Sequence, residues 1–465
     1  MSKLLLSIGV GLTLALLYTA SPLLLWVLAG AAAVLALAGR GLSEPERRLL
    51  AAVLAAGLVA RFLLVAGLVV LSLPSLNDLS IGAMAGDEAY YLGRALRARD
   101  IILGFTEGKY DYFVVYDEYG RTSYLGFLTV VQVLFGPTPF GIRMLNALFF
   151  VAGSALLFRV ARKAFGPVPA FSGLVMLLFL PSLLFSSISI LKESLYFLCS
   201  ALLLFCSVRL FQTRRVFTAA IMILLAGASL WLLDDLRRGA VLLLGSGIAV
   251  GLVLHVAAAT PRRLAAAIAA VIVVAGVGVS QSSLRARALD AVVSAAKIHG
   301  GHVFTVGHAY KLLDEDFYMN AAAPSAWPLT LTEPQAARFL IRAAVSFVVT
   351  PWPWEMRSRG ELASLPEHLL WLLLIVALPA GVVAGWRRDR LVTALVIGYV
   401  LPTAAALALT NGNVGTLLRL RGLVTPYLIW IGVLGLLVMA ESVIAARRRT
   451  TEGASNAWLM EGPTA

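Results

Sequence analysis

Apolar runs of near-span length, separated by short links rich in arginine, recur along almost the whole of this chain and leave it few ways to fold. A bilayer-crossing helix needs about 20 apolar residues, and in hydrocarbon every backbone N–H and C=O must be satisfied within the segment, so each run is predicted to be a helix. Composition supports this. Hydrophobic residues make up 60% of the chain and charged ones 14%, with a mean hydropathy of +0.88, against roughly 25% charged residues in soluble domains. The expected fold class is an all-α polytopic membrane protein of about 12 transmembrane helices with external juxtamembrane helices.

Lys and Arg outnumber Asp and Glu by 38 to 25. Most of the basic residues fall in short clusters between spans, where they set orientation or meet anionic membrane lipids, so a nucleic-acid partner is not indicated. Cys199 and Cys206 share one apolar run and read as buried bystanders. The first run, ending in Tyr18-Thr19-Ala20, resembles a signal peptide but is read as a retained span because another apolar run follows at once.

Taken in order, residues 1–48 form an N-terminal transmembrane hairpin (Leu4 to Ala20, Leu23 to Ala38) whose closing link holds Arg40, Glu44, Arg47 and Arg48. The positive-inside tendency makes this link cytoplasmic. Residues 49–279 form a transmembrane core with a first external loop at 75–123. Tyr124 to Phe135 is too short to cross and is expected to be juxtamembrane or re-entrant, after which spans run from Phe140 to Arg159, Val168 to Phe185, Leu195 to Phe211, Phe217 to Leu232, Ala240 to Ala257 and Leu264 to Val279. Residues 280–364 form a large external loop with an interfacial helix at Phe339 to Val349, anchored by Pro351-Trp352-Pro353-Trp354. Residues 365–446 supply the last three spans, and 447–465 a cytoplasmic tail expected to be disordered from Thr450 onward. Both termini are placed inside.

On this topology the unusual polar groups gather on the external side: Asp87 and Glu88; Lys192 and Glu193; Asp234-Asp235 with Arg237-Arg238; His299 and His302; Asn411 and Asn413 with Arg419 and Arg421. Ionisable groups at that depth are costly unless they pair or face a wet cavity, which points to a shared external cavity. Simpler roles stand beside this one: a helix N-terminal charge for Asp87-Glu88, a helix-start cap for Lys192-Glu193, an interhelical salt-bridge knot for Asp234 to Arg238. His299 and His302 have metal-ligand spacing but no evident third ligand. No motif calls for a cofactor, no metal site is assigned, and a divalent cation is left open. The chemistry that such groups can run is transfer from a lipid-linked donor, in which cations hold the phosphate and a carboxylate takes the acceptor's proton. Arg61, inside the third span, is the exception to the clustering; snorkelling or helix pairing accounts for it.

Gly86-Asp87-Glu88-Ala89-Tyr90-Tyr91 resembles the acidic motif of the GT-C class of polytopic glycosyltransferases, the group of protein mannosyltransferases and aminoarabinose transferases that use lipid-phosphosugars. Phe135-Gly136, Arg143 and Asn146 opening a span, Arg159 to Gly166 closing it, and Leu180-Pro181 leading to Ser189-Ile190-Leu191-Lys192-Glu193-Ser194 are similar to that group too. Pro351 to Trp354, and Asn413-Val414-Gly415-Thr416 through Arg419, Arg421 and Pro426, resemble bacterial members found among surface-polysaccharide genes. The sequence departs from the family in having Tyr124-Leu125 where a His-Pro-Pro-like motif often stands, and in its two additional N-terminal spans.

The resemblance implies an integral inner-membrane enzyme with its active site on the external, periplasmic face. Its donor would be a polyprenyl-phosphate-linked sugar and its acceptor a glycan, lipid or protein. Asp87 would serve as base or acceptor-orienting acid with Glu88 as its partner; Tyr90, Tyr91, Lys192, Glu193, Arg237, Arg238, Arg419 and Arg421 would bind substrate. Two other readings compete. An O-antigen-type polymerase or ligase, using polyprenyl-diphosphate-linked glycan, would rely on external arginines and leave Asp87 dispensable. A lipid or solute transporter would place its polar groups near mid-membrane in a repeated fold, and no repeat is evident.

Overall fold

The computed structural model describes residues 2–72, 86–105, 115, 122–301, 331–356 and 359–460. All of its regular elements among these residues are helical. They are α1 (Ser2–Ala20), α2 (Leu23–Ala38), α3 (Glu44–Ser72), α4 (Gly86–Ile102), α5 (Ser123–Phe135), α6 (Pro139–Phe165), α7 (Pro167–Phe179), α8 (Pro181–Ile188), α9 (Glu193–Gln212), α10 (Val216–Leu236), α11 (Ala240–Ala257), α12 (Pro261–Ser280), α13 (Ser282–Gly301), α14 (Glu333–Val349), α15 (Arg359–Arg388), α16 (Arg390–Thr410), α17 (Val414–Arg421) and α18 (Thr425–Met460). A 3-10 turn at Pro353–Glu355 follows α14.

Nine helices among the described residues are long and apolar enough to cross a membrane, and the bent pair α7 and α8 makes a tenth if it is one span. The chain is an all-helical, multi-pass membrane protein. The other two of the twelve expected crossings fall on α1, of 19 residues, and α2, of 16. The span expected to run straight from Val168 to Phe185 is bent by 58° between α7 and α8. Pro181, at the first turn of α8, has no N–H to continue the ladder, which is why the break falls there. The segment expected to be disordered from Thr450 is instead helical to Met460, continuous with α18; Ala445, Ala446 and Arg447 to Arg449 are good helix formers that carry the helix out of its span. Residues 461–465, most of the loop 75–123, and the region 302–330 with His302 lie outside the described residues.

The chain forms two compact units, residues 1–160 with 174–245, and residues 161–173 with 246–465. In the first, α6 and α9 are the buried helices and α3 and α10 the outer ones: 72% and 61% of the apolar windows of the inner pair are buried, against 22% and 11%. A helix hydrophobic all round is stable only when its whole surface meets protein or lipid, so the outer pair carries the lipid-facing surface. Phe150 of α6 and Phe197 of α9 meet with ring centroids 4.8 Å apart.

In the second unit α15 and α18 pack closely along a seam of small residues. A Cβ on Gly381 would stand 1.9 Å from the Ile431 carbonyl oxygen, and one on Gly435 2.0 Å from that of Ala377. Only glycine permits so short an approach, the means by which apolar helices gain contact where lipid offers no hydrophobic drive.

Candidate active site

The first unit collects its polar side chains where α4, α5, α6, α9 and α11 begin and α8 and α10 end. Asp87 and Glu88 sit in the first turn of α4, where the helix dipole favours negative charge. Successive helical residues point in different directions, and these two part company: Asp87 is exposed, whereas Glu88 is 1% exposed. Arg143, in the first turns of α6, closes on Glu88 with both terminal nitrogens, 2.9 Å to Oε2 and 3.2 Å to Oε1. The backbone N–H of Ile190 donates to the same Oε1 at 2.8 Å, and Arg143 also donates to the Ile188 carbonyl at 3.1 Å. A buried charge persists only when paired and hydrogen-bonded, and here both conditions are met.

The non-helical stretch between α8 and α9 is thus held from two sides. Asn146, one turn along α6, donates its amide to the Ser189 carbonyl at 2.6 Å and the Tyr124 hydroxyl at 3.0 Å, with the Leu191 carbonyl at 3.4 Å. Carbonyls freed where the helix unwinds are therefore met by α6 side chains, as irregular backbone within a membrane protein requires.

Lys192 and Glu193 tie the start of α9 to the end of α10. The ammonium of Lys192 donates to the Leu236 carbonyl at 2.6 Å, a C-terminal oxygen that has no partner within its own helix. Glu193 pairs with Arg237 at 3.4 Å, and Arg237 lies 5.8 Å from the centroid of the Tyr196 ring. Asp234 accepts from the N–H groups of Gly239 and Val241 at 3.0 and 3.3 Å, at the start of α11. Asp235 accepts from the Ser123 N–H at the start of α5. The two acids read in sequence as a salt-bridge knot thus serve helix N-termini. Arg238 is exposed.

Aromatic rings line the same region. Tyr90, Tyr91 and Tyr124 meet edge to face in succession, with centroids 5.9 and 5.8 Å apart. Arg94 donates to the Tyr90 hydroxyl and to the Val115 carbonyl at 3.3 Å. Burial raises the Tyr91 phenol above its usual range, and the charges of Glu193 and Asp87 add to this while Arg237 opposes it. That one phenol feels all three charges marks the meeting of α4, α9 and the end of α10. Tyr124, wholly buried, is raised by its desolvation. Both are neutral phenols at ordinary pH and serve as hydrogen-bonding groups, not bases.

Arg419 and Arg421 belong to the second unit, on α17. Arg419 is exposed. Arg421 is buried, donates to the Ser346 carbonyl at 3.2 Å, and lies 5.6 and 5.4 Å from the Phe347 and Trp371 ring centroids. Beside it Trp371 donates to the Val348 carbonyl at 2.8 Å, and a His368 ring nitrogen lies 3.1 Å from the Val349 carbonyl. Three side chains thus close the C-terminus of α14, where a cation also complements the helix dipole. His299 is buried edge-on to Phe339, with centroids 5.4 Å apart. Among the described residues no three His, Cys, Asp or Glu side chains are grouped to hold a metal.

Arg143, Asn146 and Tyr124 join the site through the fold, since the sequence assigns none of them a catalytic or binding role. Arg143 and Asn146 carry a usable signal, two long polar side chains three apart in the first turns of an otherwise apolar span. Tyr124 carries none, because an aromatic at the start of an apolar helix reads as core or interface. No protein-family model matches this chain, and no curated protein matches it.

Proposed function

We propose that this protein is a membrane glycosyltransferase that moves a sugar from a polyprenyl-phosphate-linked donor to a glycan, lipid or protein acceptor on the external face of the plasma membrane. The observation that carries the reading is the division between two neighbouring acids. Glu88 is spent inside the protein, where it locks α4 to α6 and to the turn before α9. Asp87 is thereby presented outward from a fixed helix start, near Tyr91, a phenol that also feels the charge of Arg237.

In the reaction, Asp87 takes the proton of the acceptor hydroxyl as its oxygen bonds to the anomeric carbon. The bond from that carbon to the phosphate oxygen breaks with its electron pair on oxygen, and the lipid phosphate leaves as an anion. An exposed guanidinium such as Arg238 suits that developing charge, and the phenols suit sugar hydroxyls. Glu88 acts through position, not proton transfer.

The test is transfer of sugar from a polyprenyl-phosphate-linked donor by purified protein. Asp87→Asn keeps hydrogen bonding but almost no basicity, so it is expected to fold and bind donor yet lose about 100-fold to 10,000-fold in turnover. Full activity in Asp87→Asn would remove the base and favour an arginine-centred polymerase. Sidedness is read by thiol labelling: Arg238→Cys is expected to react with an impermeant reagent from outside and Thr213→Cys not. Reversed labelling would end the external-site reading.

A further inference from the structure

Arg61 lies near the middle of α3, deep in a candidate span, and it does not snorkel: it is 0% exposed. Its Nε donates to the Ser187 hydroxyl at 2.7 Å, one terminal nitrogen donates to the Gly57 carbonyl at 3.0 Å, and its guanidinium lies 4.9 Å from the Phe150 ring centroid. The other terminal nitrogen is buried with no hydrogen-bond partner among the described residues. A guanidinium is costly to insert at this depth, and an aliphatic side chain would fill the space between helices without that cost. What the guanidinium adds is its hold on Ser187.

Ser187 is in the last turn of α8. Its hydroxyl donates to the Leu184 carbonyl at 2.7 Å while accepting from Arg61, and its own carbonyl accepts from the Ser194 hydroxyl at 3.3 Å. The next carbonyl, that of Ile188, receives Arg143, and the N–H of Ile190 goes to Glu88. Arg61 therefore grips the chain one residue before it enters the Glu88–Arg143 clamp, at the end of the bent pair α7 and α8.

We propose that Arg61 is a positioning residue: from within the span it fixes segment 187–190, and through Glu88 and Asn146 it sets the orientation of Asp87 and Tyr91 at the start of α4. Its consequence for catalysis rests on the transferase reading; its consequence for geometry does not. The experiment uses the full chain in lipid nanodiscs with 3-fluorotyrosine incorporated at position 91, whose ring meets Tyr124 and so senses the Asn146 grip. Arg61→Met is expected to move the fluorine resonance and to lower kcat at least tenfold, with KM for a polyprenyl-phosphate-linked donor within twofold. Arg61→Lys, which keeps one donor group in place of the fork, is expected to recover part of both. If Arg61→Met does not fold, Ser187→Ala removes the hydroxyl that accepts from Arg61, together with its own bond to the Leu184 carbonyl, and is expected to shift the same resonance. An unmoved resonance in a folded variant, or a change confined to melting temperature, would overturn the proposal. A wild-type protein that transfers no sugar while the resonance still shifts would end the transferase reading and leave the positioning role standing.

Discussion

Arg143 and Arg421 are both buried guanidiniums close to the ends of apolar helices, one in each unit, yet they answer different needs. Arg143 meets a carboxylate as deeply buried as itself, so the pair is close to neutral and each charge depends on the other. Arg421 meets a backbone carbonyl and two aromatic faces; among the described residues no acid pairs with it, and burial pulls its pKa down to about 9. The first arrangement fixes the relative placement of three chain segments around a candidate site. The second closes one helix end. From sequence both are simply arginines near the start of an apolar span.

The largest expected effect follows from the dependence of Glu88 on Arg143. Arg143→Met leaves a buried carboxylate uncompensated and is expected to cost about 3 to 5 kcal/mol, read as a fall in melting temperature. Adding Glu88→Gln should return much of that loss, because the orphaned charge goes with it; a double variant as unstable as the sum of the singles would mean that the two do not act as a pair. Glu88→Gln alone is expected to lower stability more than Asp87→Asn but turnover less. Arg421→Ala should cost about 1 to 3 kcal/mol by leaving a helix-end carbonyl unmet, without changing donor affinity. Lys192→Met, which removes a part-buried bond to the Leu236 carbonyl, is expected to cost about 1 kcal/mol. Smallest of all, Arg419→Ala should leave stability within about 0.5 kcal/mol, as exposed substitutions do. A melting-temperature drop in Arg419→Ala as large as that in Arg421→Ala would erase the distinction between the two arginines.

The membrane class and most of the helices were legible in the sequence because hydrocarbon imposes one rule on every span. The runs 195 to 211 and 240 to 257 are predominantly apolar, and the helices that contain them lie near their expected bounds. The break between α7 and α8 was written in Leu180-Pro181 but masked by the continuous apolar character on both sides. The site was legible as a set of residue types and not as a set of partnerships. Asp87 and Glu88 are adjacent and chemically alike, so only packing could send one inward to Arg143 and leave the other exposed. Lys192 and Asp235 stood out as charges, yet their partners are a backbone carbonyl and a backbone N–H, which no side-chain pattern records.

Helix α18 has 36 residues, from Thr425 to Met460. At 1.5 Å per residue it is about 54 Å long, well beyond the roughly 30 Å of hydrocarbon that a crossing must cover. One unbroken helix therefore both crosses the bilayer and continues beyond it, with residues 447–449, all arginine, following the apolar run.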